Sequence, residues 1–333
     1  MKILHIGKKG NISKYIPNFA KEKNYNFLEI SNANDISAIK SSLDEIEFII
    51  ADAISQISGD FLKKFKNLKL LHSEGVGYNF FDLNQADKQN VYVCNCKGMN
   101  SSAVAEHIIM LMLTLIKDTV KNDFLVKQGK QIEQKEKYMK NGNLLELSDL
   151  KIGLIGFGDI AKSLAKLLKA FNATTYYYNR TRASKEVESL YNVNYLPLDE
   201  LLKNSDIISL NIAVTDETKN LANKDFFNKM KPNSYFINTS RGELVDEMAL
   251  IEALKTNKIS KAGIDTLKNE PITLENPILK ENKELLDKII LSPHIAGITS
   301  SSFKRGYETI FKNIERIENN QKPINIVNFK KEL

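Results

Sequence analysis

Hydrophobic positions follow two alternating patterns over the first hundred residues. Short apolar runs fall at residues 2–6, 48–51, 68–72 and 91–93, and segments with helical spacing, such as residues 12–23 and 59–65, lie between them. Short apolar runs are typical of buried strands, and strands that alternate with helices form parallel sheets. This part of the chain is therefore predicted to form one doubly wound α/β domain.

A long helical pattern follows over residues 101–127. Its apolar positions recur on one side of the helix, at Ala105, Ile108, Ile109, Met112, Leu113 and Ile116. We expect this helix to connect two domains. Residues 128–149 are rich in Lys, Gln and Glu and match no strand pattern, so they predict an arm or extended connection.

A second alternating series begins after this polar segment. Its predicted strands are residues 151–155, 174–178, 206–210, 234–238, 262–265 and 288–291. Helical segments lie between most of them, and helical spacing returns over residues 301–318. A chain of 333 residues is long for a single hydrophobic core. The predicted fold class is therefore α/β, with two doubly wound parallel-sheet domains.

Composition narrows the range of partners. Acidic residues accompany nearly every basic stretch, so the net charge of +6 favours a solvated surface and we expect no nucleic-acid partner. No apolar stretch has the length of a membrane span or a signal peptide, so we expect a cytoplasmic protein without a membrane partner. Cys94 and Cys96 fit neither a disulfide framework nor a zinc site and are expected to be free, partly buried thiols. No metal site is predicted.

A glycine-rich turn carries the clearest chemical signal. Gly156-Phe-Gly-Asp-Ile-Ala161 follows an apolar strand and opens a helix. The first glycine permits a tight turn, Gly158 lets the backbone approach a pyrophosphate, and the helix N-terminus supplies amide donors. The alternative is a tight turn without a ligand, but the strand, helix and second strand in about 30 residues favour a dinucleotide site. Asp159, close to the expected phosphates, is predicted to point outward.

The residues after the next strand bear on the type of dinucleotide. An acidic side chain there would accept hydrogen bonds from the adenosine ribose, but the sequence reads Asn179-Arg-Thr-Arg182. Arg180, Thr181 and Arg182 could bind a 2′-phosphate by charge-assisted hydrogen bonds, so NADP is favoured over NAD. Alternatively, both arginines are solvated and Asn179 binds an unphosphorylated ribose.

Three chemically capable residues follow later strands of the same predicted sheet. They are Arg241, Glu270 and His294. Ligands bind beyond the carboxyl ends of parallel strands, so the three side chains should converge. Arginine can hold a carboxylate, histidine can exchange a proton near neutral pH, and a carboxylate can orient the histidine. Together they suit reduction of a 2-oxo acid, although each alone fits an ordinary surface, turn or loop residue.

These residues lie in segments that resemble the signatures of the D-isomer-specific 2-hydroxyacid dehydrogenases. The segments are 238–242 (Asn-Thr-Ser-Arg-Gly), 263–271 (Gly-Ile-Asp-Thr-Leu-Lys-Asn-Glu-Pro) and 292–297 (Ser-Pro-His-Ile-Ala-Gly), and residues 75–79 and 104–107 resemble further family segments. The resemblance implies a central Rossmann cofactor domain, residues 101–295, inserted into a flavodoxin-like substrate domain of residues 1–100 and 296–333. Residues 101–150 would serve as a linker helix and as the dimerisation arm of a homodimer.

The resemblance also implies roles for individual residues. His294 would donate a proton to the substrate carbonyl while a hydride passes between the nicotinamide and C2, and Glu270 would hydrogen-bond His294 and keep it protonated. Arg241 and the backbone amides of Val76 and Gly77 would bind the substrate. Asp265 would orient the nicotinamide carboxamide. The positions expected to line the cofactor are Gly156, Gly158, Asp159, Ile160, Asn179, Arg180, Thr181, Ile212, Ala213, Thr218, Thr239, Ser240, Asp265, His294 and Gly297.

The sequence departs from the family pattern at three positions. Ala213 stands where proline is common, Asp159 where a basic residue is common, and Asn179 where the ribose-binding acid is usual. None of them removes the catalytic set.

The substrate is predicted to be a small 2-oxo monocarboxylic acid. Glu74 adjoins the loop expected to bind substrate and should repel a second anionic group if it faces the ligand. Glyoxylate, hydroxypyruvate, pyruvate and branched 2-oxo acids all remain open. The chain ends at Leu333 without a regulatory domain, which makes a long-form phosphoglycerate dehydrogenase less favoured.

Other functions stay open within the same fold. Arg241, Glu270 and His294 could equally serve phosphite, whereas formate dehydrogenases of this type carry glutamine at the position of Glu270. A corepressor-like protein that senses NAD(H) is the alternative from another functional class. The intact set of three side chains favours an enzyme.

Overall fold

In the computed structural model, which describes residues 1–329, the chain forms two compact units with two boundaries along the sequence. One unit comprises Met1–Asn100 and the chain from Ile298 onward, and the other is Ser101–Gly297. The second division, expected between residues 295 and 296, thus falls two residues later. The end of the predicted substrate domain, residues 330–333, lies outside the described residues.

The first unit contains a five-stranded parallel sheet. Its strands are β1 (Lys2–Ile6), β2 (Asn26–Ile30), β3 (Ile46–Ala51), β4 (Leu70–Ser73) and β5 (Tyr92–Cys94). They are ordered β2-β1-β3-β4-β5, which is the flavodoxin-like order. The edge strand β2 was not predicted, because its sequence Asn-Phe-Leu-Glu-Ile is only partly buried and lacks a continuous apolar run.

Helices cover both faces of this sheet. They are α1 (Asn11–Tyr15), α2 (Asn18–Lys21), α3 (Gly59–Leu62) and α4 (Leu83–Lys88), with a 3₁₀ segment (Ala33–Glu45) and the C-terminal helix (Ser300–Glu318). The predicted helix over residues 12–23 is instead two short helices, because Pro17 disfavours a helical residue before it and offers no N–H. The C-terminal helix buries Tyr307 and Phe311 against one sheet face, beside Phe48.

The second unit begins with helices. They are α5 (Ser101–Ile116), α6 (Thr119–Val126) and α7 (Gln131–Asn141). The helix predicted over residues 101–127 is interrupted at Asp118, whose backbone is left-handed (φ 51°). Helix α7 corrects the prediction of an irregular arm: Gln134 is its single buried residue, so no apolar stripe marked the helix in the sequence.

A seven-stranded parallel sheet forms the rest of this unit. Its strands are β6 (Lys151–Ile155), β7 (Thr174–Tyr178), β8 (Val193–Tyr195), β9 (Ile207–Leu210), β10 (Ser234–Asn238), β11 (Ile259–Ile264) and β12 (Ile289–Leu291), with short 3₁₀ turns at Leu147–Asp149 and Gly242–Leu244. The helices between them are α8 (Asp159–Ala170), α9 (Lys185–Tyr191), α10 (Leu198–Asn204), α11 (Lys224–Lys229), α12 (Glu247–Lys255) and α13 (Lys283–Leu286).

The strand order β8-β7-β6-β9-β10-β11-β12 is that of a Rossmann sheet with one added edge strand. The six strands predicted for this unit are present, and the three-residue edge strand β8 was missed. The predicted fold class, two doubly wound α/β domains with the Rossmann domain inserted into a flavodoxin-like one, is confirmed.

The two cysteines are free, as predicted, but their burial differs from the prediction. Cys94 and Cys96 are completely buried, and burial raises the pKa of Cys94 to about 12. Within residues 1–329, no helix combines the length and apolarity required to cross a membrane.

Candidate active site

The glycine turn after β6 has the geometry that a dinucleotide requires. Gly156 has a left-handed backbone (φ 95°), and a Cβ placed there would lie 2.4 Å from the carbonyl oxygen of Asn211, so no other residue fits. At Gly158, the N-cap of α8, a Cβ would meet no protein atom within 4 Å. The turn is therefore tight against the protein at its first glycine and open at its second, where a pyrophosphate would lie.

Helix α8 directs a narrow apolar face inward. Ala161, Leu164, Ala165 and Leu168 are buried. Phe171 is 41% exposed, because the helix has already ended at Ala170. Ile160 is half-buried, and Asp159 is exposed.

Arg182 is already engaged at the end of the site where the adenosine ribose is expected. Its Nε donates to Glu188 Oε1 (2.7 Å) and its Nη2 to Glu188 Oε2 (3.0 Å). Hydrogen bonds from Arg182 and Lys185 lower the pKa of Glu188 to about 2. The expectation that Arg182 binds a 2′-phosphate is therefore wrong for this arrangement, because its fork is occupied by a carboxylate.

Arg180 is exposed and forms no ion pair within residues 1–329. Asn179 donates to the carbonyl oxygen of Thr181 (2.9 Å), which closes a tight turn around Arg180. Of the two arginines, Arg180 is the one whose guanidinium is available to a ligand.

The loop after β9 holds other residues expected to line the cofactor. Thr218 Oγ1 donates to the carbonyl oxygen of Ala213 (2.8 Å) and accepts from the Thr215 N–H (2.7 Å), so it closes this loop. Ala213 is exposed and Ile212 half-buried.

The turn after β10 positions Arg241. Asn238 is fully buried, and its side chain donates to the Arg241 carbonyl oxygen (2.9 Å) and accepts from the Ser240 N–H (3.0 Å). Ser240 Oγ also donates to the carbonyl oxygen of Leu210 (2.8 Å), and Thr239 is buried. The Arg241 side chain is exposed, and its Nη1 donates to the carbonyl oxygen of Ser240 (2.6 Å), so the turn itself holds the guanidinium at the surface.

Glu270 and His294 form a direct pair. Glu270 Oε2 lies 2.5 Å from His294 Nδ1, and Glu270 Oε1 accepts from the Leu267 N–H (2.9 Å). An ionised carboxylate can only accept, which makes Nδ1 the donor. The imidazole side chain is 44% exposed, and no protein group within residues 1–329 occupies Nε2. This nitrogen is free to exchange a proton with a ligand.

Asp265 is bound to the turn that carries His294. It is 1% exposed, and its carboxylate accepts from Ser292 Oγ (2.5 Å) and from the N–H groups of Ile295 (3.0 Å) and Ala296 (2.9 Å). These bonds hold both sides of the turn that carries His294, whose backbone is left-handed (φ 55°). A contact with the nicotinamide carboxamide stays a prediction, and so does a cofactor contact of the half-buried Gly297.

His107 was not recognised as part of this arrangement. Its Nε2 lies 2.9 Å from Ser292 Oγ, so helix α5 supports the same turn. Both residues stand in segments that resemble the family signatures, and that was the available signal.

The loop of residues 75–77, here called the substrate loop, follows β4 in the first unit. The N–H groups of Val76 and Gly77 donate to no acceptor among residues 1–329. They are therefore free to bind an anion.

Glu74 corrects the sequence-based argument for a monocarboxylic substrate. It is 4% exposed, and its carboxylate accepts from the Tyr307 hydroxyl (2.6 Å) and Asn11 Nδ2 (2.8 Å), with His5 Nε2 at 3.4 Å. Burial opposes ionisation, but these hydrogen bonds outweigh it and lower the pKa of Glu74. Its carboxylate is bound by side chains inside the first unit, so the condition of that argument, a Glu74 carboxylate that faces the ligand, is not met.

Comparisons with known proteins agree on one family. The family model described as D-isomer specific 2-hydroxyacid dehydrogenase, NAD binding domain, matches residues 109–296. Glyoxylate reductase of Thermococcus litoralis is 32% identical over 328 residues, which cover 95% of this chain and 96% of that protein.

Solved structures show the same architecture. The acyclic imino acid reductase Bsp5 in complex with NADPH and D-Arg is 26% identical, with a TM-score of 0.78 over 98% of this chain and 100% of that chain. A D-isomer specific 2-hydroxyacid dehydrogenase from Lactobacillus delbrueckii ssp. bulgaricus in its NAD-complexed form is 23% identical. Its TM-score is 0.81, over 98% of this chain and 100% of that chain, and it shows a likeness of fold alone.

Proposed function

Since the chain belongs to the D-isomer specific 2-hydroxyacid dehydrogenases, we propose that it reduces a small 2-oxo acid to the D-2-hydroxy acid, or catalyses the reverse reaction. The observation that carries this proposal is the Glu270–His294 pair. His294 follows β12 and Arg241 follows β10, two strands of the same sheet whose strand β6 leads into the glycine turn.

The reaction requires a hydride transfer, a proton transfer and a binding site for the substrate carboxylate, and each can be assigned to named groups. A bound nicotinamide supplies the hydride at C2 in reduction and accepts it in oxidation. His294 Nε2 donates a proton to the carbonyl oxygen in reduction and takes it back in oxidation, while Glu270 keeps hold of Nδ1. Arg241 holds the carboxylate and polarises the carbonyl, and the free amides of Val76 and Gly77 bind the carboxylate.

NADP is our proposed cofactor, in preference to NAD. Support comes from the absence of an acid at Asn179 and from the exposed guanidinium of Arg180, with the Thr181 hydroxyl beside it. Gly156, Gly158 and the first amides of α8 would hold the pyrophosphate, because the open space at Gly158 fits one.

A panel assay tests substrate and cofactor together. We expect glyoxylate or hydroxypyruvate to oxidise NADPH with a kcat/KM at least about tenfold above that with NADH, because charge-assisted bonds to a 2′-phosphate contribute this order of discrimination. Consumption of reduced nicotinamide is followed by absorbance, with pyruvate and branched 2-oxo acids as further substrates. Turnover on none of these acids would contradict the function, and equal use of both cofactors would contradict the NADP preference.

The paired and free arginines give a second test of the cofactor site. Replacing Arg180 by alanine should weaken NADPH binding about tenfold while NADH binding changes less than about twofold. Replacing Arg182 by alanine should lower the thermal midpoint, because it leaves Glu188 without its bidentate partner. NADPH affinity should change less in this variant than in the Arg180 variant. Equilibrium titration and thermal unfolding separate the two effects, and NADPH affinity unchanged in the Arg180 variant would contradict this site.

We further propose that the protein is a homodimer assembled through α6 and α7. Val120, Phe124, Ile132 and Met139 are 53% to 74% exposed on this arm, a concentration of large apolar side chains that a second copy would cover.

A further inference from the structure

The carbonyl groups of the substrate loop are held by residues of the neighbouring segment. The Cys96 N–H donates to the Gly75 carbonyl oxygen (2.9 Å), and Asn95 Nδ2 donates to the Val76 carbonyl oxygen (2.7 Å). Asn95 is 6% exposed and therefore shielded from water. These two bonds fix the planes of two successive peptide groups.

Ser73 closes the loop from its other side. Its hydroxyl donates to the Gly77 carbonyl oxygen (2.6 Å) and accepts from the Gly75 N–H (3.2 Å). Ser73 is fully buried, so water does not compete for either of these two hydrogen bonds.

The direction of the free N–H groups follows from these anchors. In a planar trans peptide, the C=O and N–H groups point in opposite directions. Because the Gly75 carbonyl points to Cys96, the Val76 N–H points away from the scaffold. The same argument applies to the next peptide, where Asn95 holds the Val76 carbonyl and so turns the Gly77 N–H outward.

We propose that Asn95, supported by Ser73, is a positioning residue that presents the Val76 and Gly77 N–H groups to the substrate carboxylate. This inference rests on the proposed function, which assigns those amides to the carboxylate. Neither side chain touches the substrate in this arrangement. Asn95 Oδ1 also accepts from the Lys97 N–H (3.2 Å), which fixes the amide plane with its donor toward the loop.

The proposal predicts an effect on substrate affinity with little effect on the chemical step. Asn95→Ala should raise KM for the 2-oxo acid about tenfold, since misaligned amides lose charge-assisted hydrogen bonds. The kcat should change less than about threefold, because these bonds form in the ground state and the transition state alike. NADPH affinity should stay within about twofold, and Ser73→Ala should act in the same direction, although more weakly.

Asn328 provides a matched control for a purely structural effect. It is also a buried asparagine of the first unit, and it bonds the Val91 carbonyl oxygen (2.8 Å) and the Val93 N–H (2.8 Å) of the β5 segment. Asn328→Ala should lower the thermal midpoint but leave KM unchanged.

A binding probe separates this inference from the proposed function. Oxamate, a carboxylate that cannot be reduced, is titrated onto NADPH-loaded wild type and onto the Asn95 and Ser73 variants. Weaker oxamate binding in both variants supports the positioning role even if wild type turns over no 2-oxo acid. Unchanged oxamate affinity in both, or an equal loss in Asn328→Ala, would overturn it.

Discussion

Replacing His294 by alanine should lower kcat for 2-oxo acid reduction by about 10²- to 10⁴-fold, the usual contribution of a positioned general acid. Nδ1 is held by Glu270 at 2.5 Å, so Nε2 is the nitrogen that would give the proton. NADPH affinity should change less than about twofold, because proton donation is separable from dinucleotide binding.

Steady-state kinetics and equilibrium titration of the same preparation measure the two quantities independently. Glu270→Gln serves as the graded comparison, because its amide oxygen can still accept from Nδ1 but carries no charge. We expect its kcat to lie between that of wild type and that of the alanine variant. Normal turnover in His294→Ala would refute the assignment of this histidine.

The fold was largely predictable because its signal is distributed over many residues. Buried parallel strands read as short apolar runs, and the six predicted strands of the second unit lie where such runs occur. The missed elements carry little of this signal. Strands β2 and β8 lie at sheet edges, and α7 exposes nearly all of its polar residues to solvent.

Candidate site residues were predictable where they directly follow parallel strands, because ligands bind beyond the carboxyl ends of such strands. They were less predictable where the role of a side chain depends on the residue to which it is hydrogen-bonded. Arg241, Glu270 and His294 all follow strands, and the structure pairs the last two. By contrast, Arg182 and Glu74 were assigned by sequence position. Folding brings Glu188 to Arg182 and Tyr307 to Glu74, and no local sequence pattern predicts these hydrogen bonds.

Asp265 is a further residue whose hydrogen-bond partners could not be predicted from the sequence. Its segment was recognised, yet its carboxylate accepts three hydrogen bonds from the turn that carries His294. Sequence alone does not indicate these bonds, because folding brings Ser292, Ile295 and Ala296 to Asp265 from a segment about 30 residues away.

A backbone contact also links the Arg241 turn to Glu270. A Cβ placed on Gly242 would lie 2.1 Å from the Leu267 carbonyl carbon and 2.2 Å from its oxygen, so the two backbones leave no room for a methyl group. The Leu267 N–H donates to Glu270 Oε1. Any shift of Leu267 therefore moves the carboxylate that orients His294.

Replacing Gly242 by alanine should consequently damage both stability and catalysis. Forcing a methyl group into a packed site costs about 1–3 kcal/mol, and a backbone neighbour that cannot rotate away places this site at the upper end. We expect a lower thermal midpoint and a kcat reduced about a hundredfold, because misplacing a catalytic group by about 1 Å has effects of this size. Gly263→Ala is the matched control, since its Cβ would meet the side chain of Leu111 at 3.2 Å, which can give way. Equal losses of kcat in the two variants would show that packing alone, and not the link from Gly242 through Leu267 to Glu270, governs the site.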